Sequence, residues 1–371
     1  MIAKKEIVAV GMSGGVDSTM AAYLLKEQGY MVLGITMKIW QGPSQATSSL
    51  KSGCYGPGEA HDIDEAQREC ERLGIPHHTI DLTREYVDVV LKDFSSQYLA
   101  GRTPNPCVLC NHFIKFGALL ERARASGIAF DRFATGHYAR ISRTESSGRF
   151  LLRKALDLRK DQSYFLYRLQ QQQLSGTLFP LGESTKQQVK ELAKQAGFAD
   201  VADQPESQDF IDQGDYQELF TQADIRPGRI LDLQGKVLGN HSGIFNFTVG
   251  QRRGLHLGGG SEPLYVLHID APSQDVIVGP RPHLAAQGLT AGFLNWIALD
   301  KIVQPMQVKA RLRSRGAEAE CEVIPQGEMA VKVHFNEPQY SATLGQSIVF
   351  YDGDVVLGGG IIQKVERMIA G

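Results

Sequence analysis

Two short stretches of this 371-residue chain combine residue types and spacings that imply chemistry. The first is Gly11-Met12-Ser13-Gly14-Gly15-Val16-Asp17-Ser18-Thr19, set between an apolar run and a helical pattern. Its glycines let the backbone turn tightly. Amide N–H groups, the hydroxyls of Ser13 and Ser18 and the positive end of the next helix can then surround an anion. No Gly-Lys-Ser/Thr follows, so this is not the Walker loop. The second stretch, Arg102-Thr103-Pro104-Asn105-Pro106-Cys107-Val108-Leu109-Cys110-Asn111, carries a C-x-x-C pair behind two stiffening prolines. A helix is predicted to begin just after Cys110. A cysteine at a helix N-terminus has its thiolate stabilised, as a sulfur carrier or nucleophile requires. The bland readings are a glycine turn that merely opens a helix and a pair of structural thiols.

The elements that must position these stretches read as an α/β domain followed by β-structure. Predicted strands are Glu6–Val10, Met31–Met37, His77–Leu82 and Arg132–Thr135. Predicted helices are Asp17–Gln28, Ile63–Leu73, Arg84–Leu99, Phe113–Ser126 and Thr185–Ala196. Such alternation argues a parallel sheet covered on both faces, which binds ligands at the carboxyl ends of its strands. From about Leu289 onward, short alternating segments recur at Met306–Leu312, Ala319–Val323, Met329–Phe335, Gln346–Tyr351 and Val355–Ile362. Their even spacing suggests a small β-barrel or sandwich.

Apolar residues at 42% and charged residues at 22% give a globular composition, too long for one ordinary domain. Met1 to Val10 is too short for a signal peptide, and no apolar run nears the ~18 residues of a membrane span. A cytoplasmic protein without a membrane partner is expected. The five cysteines (Cys54, Cys70, Cys107, Cys110, Cys321) then suit metal, redox or nucleophilic use better than structural disulfides. A net charge of −2 says nothing of nucleic acid, but local charge does. Residues 140–168 hold eight Lys/Arg against three acids, and basic residues alternate at 309, 311, 313 and 315. Alternation at period two would put the latter on one strand face, either solvated or set against phosphates.

The glycine loop matches the S-G-G-x-D-S pyrophosphate loop of enzymes that split ATP into AMP and pyrophosphate. The cysteine stretch resembles the T-P-N-P-D-x-x-C-N segment of the tRNA-specific 2-thiouridylases, and the likeness runs over nearly the whole chain. Further family-like segments include Ala134–Arg140, Lys160–Tyr164, Phe247–Gly254 and Leu357–Gly360. The resemblance implies an adenine-nucleotide-hydrolase-like parallel-sheet domain (1–205), a small central tRNA-binding domain (206–282) and a C-terminal β-barrel (283–371). It implies ATP held by Gly11, Met12, Ser13, Gly14, Gly15, Val16, Asp17 and Ser18, with Asp17 helping to place Mg2+ and with Met37 and Gly136 at the adenosine. It implies tRNA contacts by Asn105, Pro106, Cys107, Lys160, Asp161, Gln162, Arg311 and Leu312. The substrates would be tRNAs for Lys, Glu and Gln, thiolated at the wobble uridine, with sulfur from a cysteine desulfurase or carrier proteins.

Two departures from the family pattern bear on mechanism. Cys107 stands where the pattern has aspartate. The pattern's second cysteine, in a segment like S-Q-E-I-C-F-V-P-D-G-D-Y, is missing from Ser207–Tyr216, which is two residues shorter. Three readings stay open. Cys110 and Cys107 could act as catalytic thiols that carry sulfur and close a disulfide. Cys54, Cys107 and Cys110 could ligate an iron–sulfur cluster. Cys54, His61, Cys107 and Cys110 could bind zinc. Rival functions are an adenylating synthetase that forms a C–N bond, or a metal-holding tRNA-binding protein without catalysis.

Overall fold

The computed structural model describes residues 5–42, 53–204, 209–211, 219–221, 224–258 and 262–368. The chain folds into two compact units. One comprises Met1–Val90, Cys107–Tyr216 and Asp354–Val356, the other Leu91–Pro106, Gln217–Gly353 and Leu357–Gly371.

The first unit is built on β1 (Ile7–Gly11), β2 (Met31–Lys38), β4 (His77–Asp81), β5 (Arg132–Thr135) and β8 (Thr177–Leu178), in the order β4-β2-β1-β5-β8. Every pairing is parallel. The central strand is an unbroken Ile-Val-Ala-Val run because both its faces are covered; Val8, Ala9 and Val10 have no exposure at all. Helix α1 (Val16–Glu27) lays Met20, Ala21, Ala22 and Leu25 into the core, and α2 (Glu59–Leu73) adds Ala66, Cys70 and Leu73. Burying Met20 or Leu25 contributes about 1.5–3 kcal/mol each. Cys70, with its thiol pushed up to about 12 by burial, is a core residue.

Three features depart from the predicted elements. The expected helix Arg84–Leu99 is a short helix Thr83–Tyr86, a π-helical turn Val87–Leu91 and a helix Lys92–Leu99. The expected helix Phe113–Ser126 starts earlier, at Pro106, whose fixed φ suits a first turn. It runs α-helical to Leu109, π-helical over Cys110–Ala118 and α-helical again over Leu119–Ala125. Cys107 therefore sits in the first turn and Cys110 in the second, the reverse of the expected advantage for Cys110. Lastly, β3 (Gly53–Tyr55) pairs in parallel with β9 (Asp209–Ile211), a ribbon too short to show in the apolar pattern. Of the altered segment 207–216, only Asp209–Ile211 fall among the described residues.

In the second unit, β10 (Gly228–Leu231), β11 (Val237–His241), β12 (Tyr265–Asp270) and β13 (Asp275–Gly279) form a sheet in the order β11-β10-β13-β12. A six-stranded barrel follows: β14 (Ala286–Trp296), β15 (Met306–Arg311), β16 (Ala319–Gln326), β17 (Ala330–Gln339), β18 (Ser347–Asp352) and β19 (Val355–Arg367). Its order is β14-β17-β16-β15-β18-β19, closed by β14 on β19. Ala291, Cys321, Val323, Val333, Phe350 and Ile362 fill the interior.

Candidate active site

The loop after β1 is held open by its own backbone. Gly14 has φ +73, and a Cβ there would lie 2.8 Å from the Glu65 Cβ, so only glycine fits. Gly15 caps α1 without a side-chain hydrogen bond, which leaves the first amides of the helix for a ligand. Ser18 Oγ donates to the Gly15 carbonyl at 3.0 Å and accepts from the Ser13 amide at 3.2 Å. Thr36 donates to the Met12 carbonyl at 2.9 Å and meets His77 Nε2 at 2.8 Å, which gives His77 a structural task. A Cβ at Gly136 would lie 2.6 Å from the Asp17 carbonyl carbon, so the β5 turn and the loop touch backbone to backbone. Asp17 accepts from Tyr138 Oη at 2.8 Å and pairs through both oxygens with Lys186 Nζ at 2.8 Å. No motif marks Lys186, which lies 169 residues away.

This loop lines a cavity of about 250 Å³ at the carboxyl ends of β1, β2 and β5. Gly11, Met12, Ser13, Asp17 and Ser18 line it together with Met37, Gly136 and Gln162. Glu59, Asp62, Lys115, His137 and Cys54 complete its polar wall. Glu59 accepts from the Ile39 and Trp40 amides at 2.6 and 3.0 Å and so shapes the turn after β2. Burial pushes its carboxyl up, against the pull of those amides. His137 is driven down to about 3 by burial and by the Lys115 charge, so it is a neutral imidazole.

The thiols gather on the other side of Lys115. Cys54, Cys107 and Cys110 all interact electrostatically with its ammonium and with the buried Tyr86 hydroxyl. Burial pulls the Lys115 pKa down, thiolate charge on Cys110, Cys54 and Cys107 pushes it up, and the net direction is up. Burial pushes the Cys110 thiol up to about 11 although Lys115 opposes this, so Cys110 is a protonated, shielded thiol at rest. The stabilised thiolate expected for Cys110 is thus not what its surroundings provide. Cys107 is half-buried and Cys54 exposed. The π-helical winding explains why Cys110 and Lys115 meet. At 3.6 residues per turn a residue five positions on lies about 140° round the axis, whereas a π-helix bonds i to i+5 and nearly aligns the two. Gln173 Nε2 steadies that stretch by donating to the His112 and Phe116 carbonyls at 3.0 and 2.9 Å. Among the described residues, no three His, Cys, Asp or Glu side chains are grouped to hold a metal ion. His61 faces Glu65 at 3.5 Å.

Comparison with known proteins shows the family. A family model described as "tRNA methyl transferase HUP domain" matches residues 6–212, a PRC-barrel model matches 218–280 and an aminomethyltransferase β-barrel model matches 286–362. A tRNA-specific 2-thiouridylase MnmA 1 of Caldanaerobacter subterraneus is 47% identical over 365 residues, covering 97% of this chain and 98% of that one. The chain belongs to the tRNA-specific 2-thiouridylase family. The 2-thiouridylase MnmA of Endomicrobium trichonymphae is 46% identical over 358 residues, covering 96% of this chain and 98% of that one. Among solved structures, a 4-thiouridine synthetase–RNA complex with bound ATP has a TM-score of 0.32 at 14% identity, covering 54% of this chain and 43% of that one. That likeness is too distant to bear on the site.

The residues that the 2-thiouridylase pattern turns toward tRNA are unevenly placed. Asn105, Pro106, Cys107 and Lys160 are half-buried. Asp161 is buried and accepts from the Ala155 and Ser163 amides and the Ser163 hydroxyl. Gln162 accepts from the Tyr138 amide at 2.9 Å. In the barrel, Arg311 is 8% exposed, paired with Glu318 at 2.8 Å and stacked over Tyr351, while Leu312 lies in the core. β15 ends at Arg311, so the predicted basic stripe breaks there. Lys309, Arg313 and Arg315 are exposed, but the last two follow the strand. No helix among the described residues is long and apolar enough to cross a membrane.

Proposed function

We propose that this chain replaces O2 of the wobble uridine of tRNA by sulfur at the cost of ATP. The observation that carries this reading is that Ser13, Ser18 and Asp17 of the loop line one cavity with Cys54 and with Lys115, the ammonium that also feels Cys107 and Cys110. O2 of a uridine turned out of the anticodon loop attacks the α-phosphorus, and pyrophosphate leaves. A persulfide sulfur on Cys110 or Cys107 attacks C2, and AMP departs with the former O2. The neighbouring thiol then breaks the persulfide bond, forming a Cys107–Cys110 disulfide that a cellular dithiol must reduce. Residues three apart on a helix face one another at about 5–6 Å between Cβ atoms, so closing that bond needs only a modest local shift.

Mg2+ would be held by Asp17 and Asp62 and would neutralise phosphate charge; oxygen donors suit it. An iron–sulfur cluster on Cys54, Cys107 and Cys110 is the second reading, favoured by the convergence of all three on Lys115. Among the described residues the three thiols are not grouped closely enough to hold a metal ion. Cys54 also lies on the strand beside β9, within the segment where the family pattern carries its second cysteine. This supports Cys54 as a third sulfur-handling thiol. The ranges 1–205, 206–282 and 283–371 would serve as catalytic, central tRNA-binding and barrel domains. The acceptors would be tRNAs for Lys, Glu and Gln, and the sulfur would come from a cysteine desulfurase or a carrier. A tRNA substrate would place the protein in the cytoplasm.

The test is mass spectrometry of tRNA after incubation with ATP and a sulfur source. Thiouridine should form with wild type and not with Cys110→Ser. Thiolation that persists in the Cys107→Ser, Cys110→Ser double variant would refute the relay, and tRNA-independent pyrophosphate release would favour another adenylating reaction.

A further inference from the structure

The cavity poses a charge problem that its own residues do not solve. An adenylated base brings a phosphoryl anion, yet Gly11–Ser18 contains no Lys or Arg. The wall supplies three carboxylates, Asp17, Glu59 and Asp62. Lys186, the cation nearest the loop, is consumed by both oxygens of Asp17. His137 is neutral. Among the described residues that line the cavity, Lys115 alone is a cation.

Lys115 makes no ion pair or hydrogen bond with another described residue. Its electrostatic neighbours are three sulfurs, of which Cys110 is a protonated thiol at rest. A half-buried ammonium with no carboxylate paired to it among the described residues is costly. Such a charge is worth holding if its partner arrives with the substrate. The position fits: Lys115 shares one cavity with Ser13 and Gly136, and its helical winding turns it toward Cys110.

We propose that Lys115 binds the α-phosphoryl group of the adenylated base while facing the attacking sulfur, so that one ammonium serves both halves of the reaction. This rests on the adenylation reading above. It assigns the charge that offsets AMP as it leaves and the cation beside the persulfide as it attacks. No proton moves from Lys115, and its charge is the same before and after.

The test compares AMP with adenosine, which differ by the phosphate alone. In Lys115→Met, AMP affinity should fall roughly 10- to 100-fold, as for loss of a charge-assisted hydrogen bond, while adenosine affinity stays the same. Thiolation should fall about 10²-fold or more, and Lys115→Arg should restore part of both. An unchanged ratio of AMP to adenosine affinity in a folded variant overturns the proposal, whether or not thiolation falls. Should Lys115→Met fail to fold, Lys115→Gln is read by the same ratio. A wild-type protein that never thiolates tRNA would sink the functional reading, and the affinity ratio would still judge Lys115.

Discussion

The two walls of the cavity are built on opposite principles. On the loop wall, backbone does the work: Gly14 and Gly136 permit close approach, and carbonyls and amides from neighbouring residues lock the Ser13–Ser18 turn. On the thiol wall, side chains do it. Cys54, Tyr86, Cys110 and Lys115 come from three separate elements and interact through charge and burial. A backbone cradle binds tightly but cannot be retuned by one side chain. A side-chain cluster can be rebuilt piece by piece.

Substitutions that strike one wall and spare the other probe this contrast. The largest effect is expected for Cys110→Ser, which should cut thiolation by at least about 10³-fold. Its tRNA-dependent pyrophosphate release should stay within a few-fold of wild type. Loss of both in a single-turnover assay would mean that the walls are not separable. Gly136→Val would drive a side chain into the Asp17 backbone. A displacement of ~1 Å should weaken ATP turnover about 10²-fold and leave the alkylation rate of Cys110 unaltered. Lys186→Met strands the Asp17 carboxylate. Lys186 is 9% exposed and Asp17 32%, so the cost is trimmed by solvent to about 2–3 kcal/mol, measurable by urea unfolding. Over the first pH unit below about 6.5, the smallest effect concerns His137. Its folded pKa of about 3 lies below the ordinary 6.5, so as pH falls through that window the unfolded chain binds a proton that the folded one refuses. Stability should be full above about 6.5 and decline below it by up to about 1.4 kcal/mol per pH unit, and His137→Asn should flatten the decline.

The same contrast decides what the sequence could disclose. The loop is legible because its residues are contiguous and its glycines irreplaceable, and β1 and β2 announce themselves as apolar runs. The ribbon of Gly53–Tyr55 on Asp209–Ile211 was invisible, since three residues carry no period. The cysteine helix begins at Pro106 rather than after Cys110, because a proline's fixed φ suits a first turn as well as it stiffens an approach. Lys115 and Lys186 gave no signal, because an amphipathic pattern does not say which lysine will face inward. In the barrel, alternation suggested four basic residues on one face, whereas Arg311 turns in to Glu318 and the strand then ends.

The winding of Cys110–Ala118 has a consequence for how such a site can be lost. A widened turn of this kind amounts to one surplus residue in an otherwise ordinary rod. Deleting a single codon within it would let the rod rewind, carry the ammonium away from the sulfur and leave the Gln173 amide without its two carbonyls. The reading frame, the hydrophobic core and the nucleotide loop would all survive. In a lineage that no longer needed the modification, that small lesion would silence the thiol side while the protein still folded.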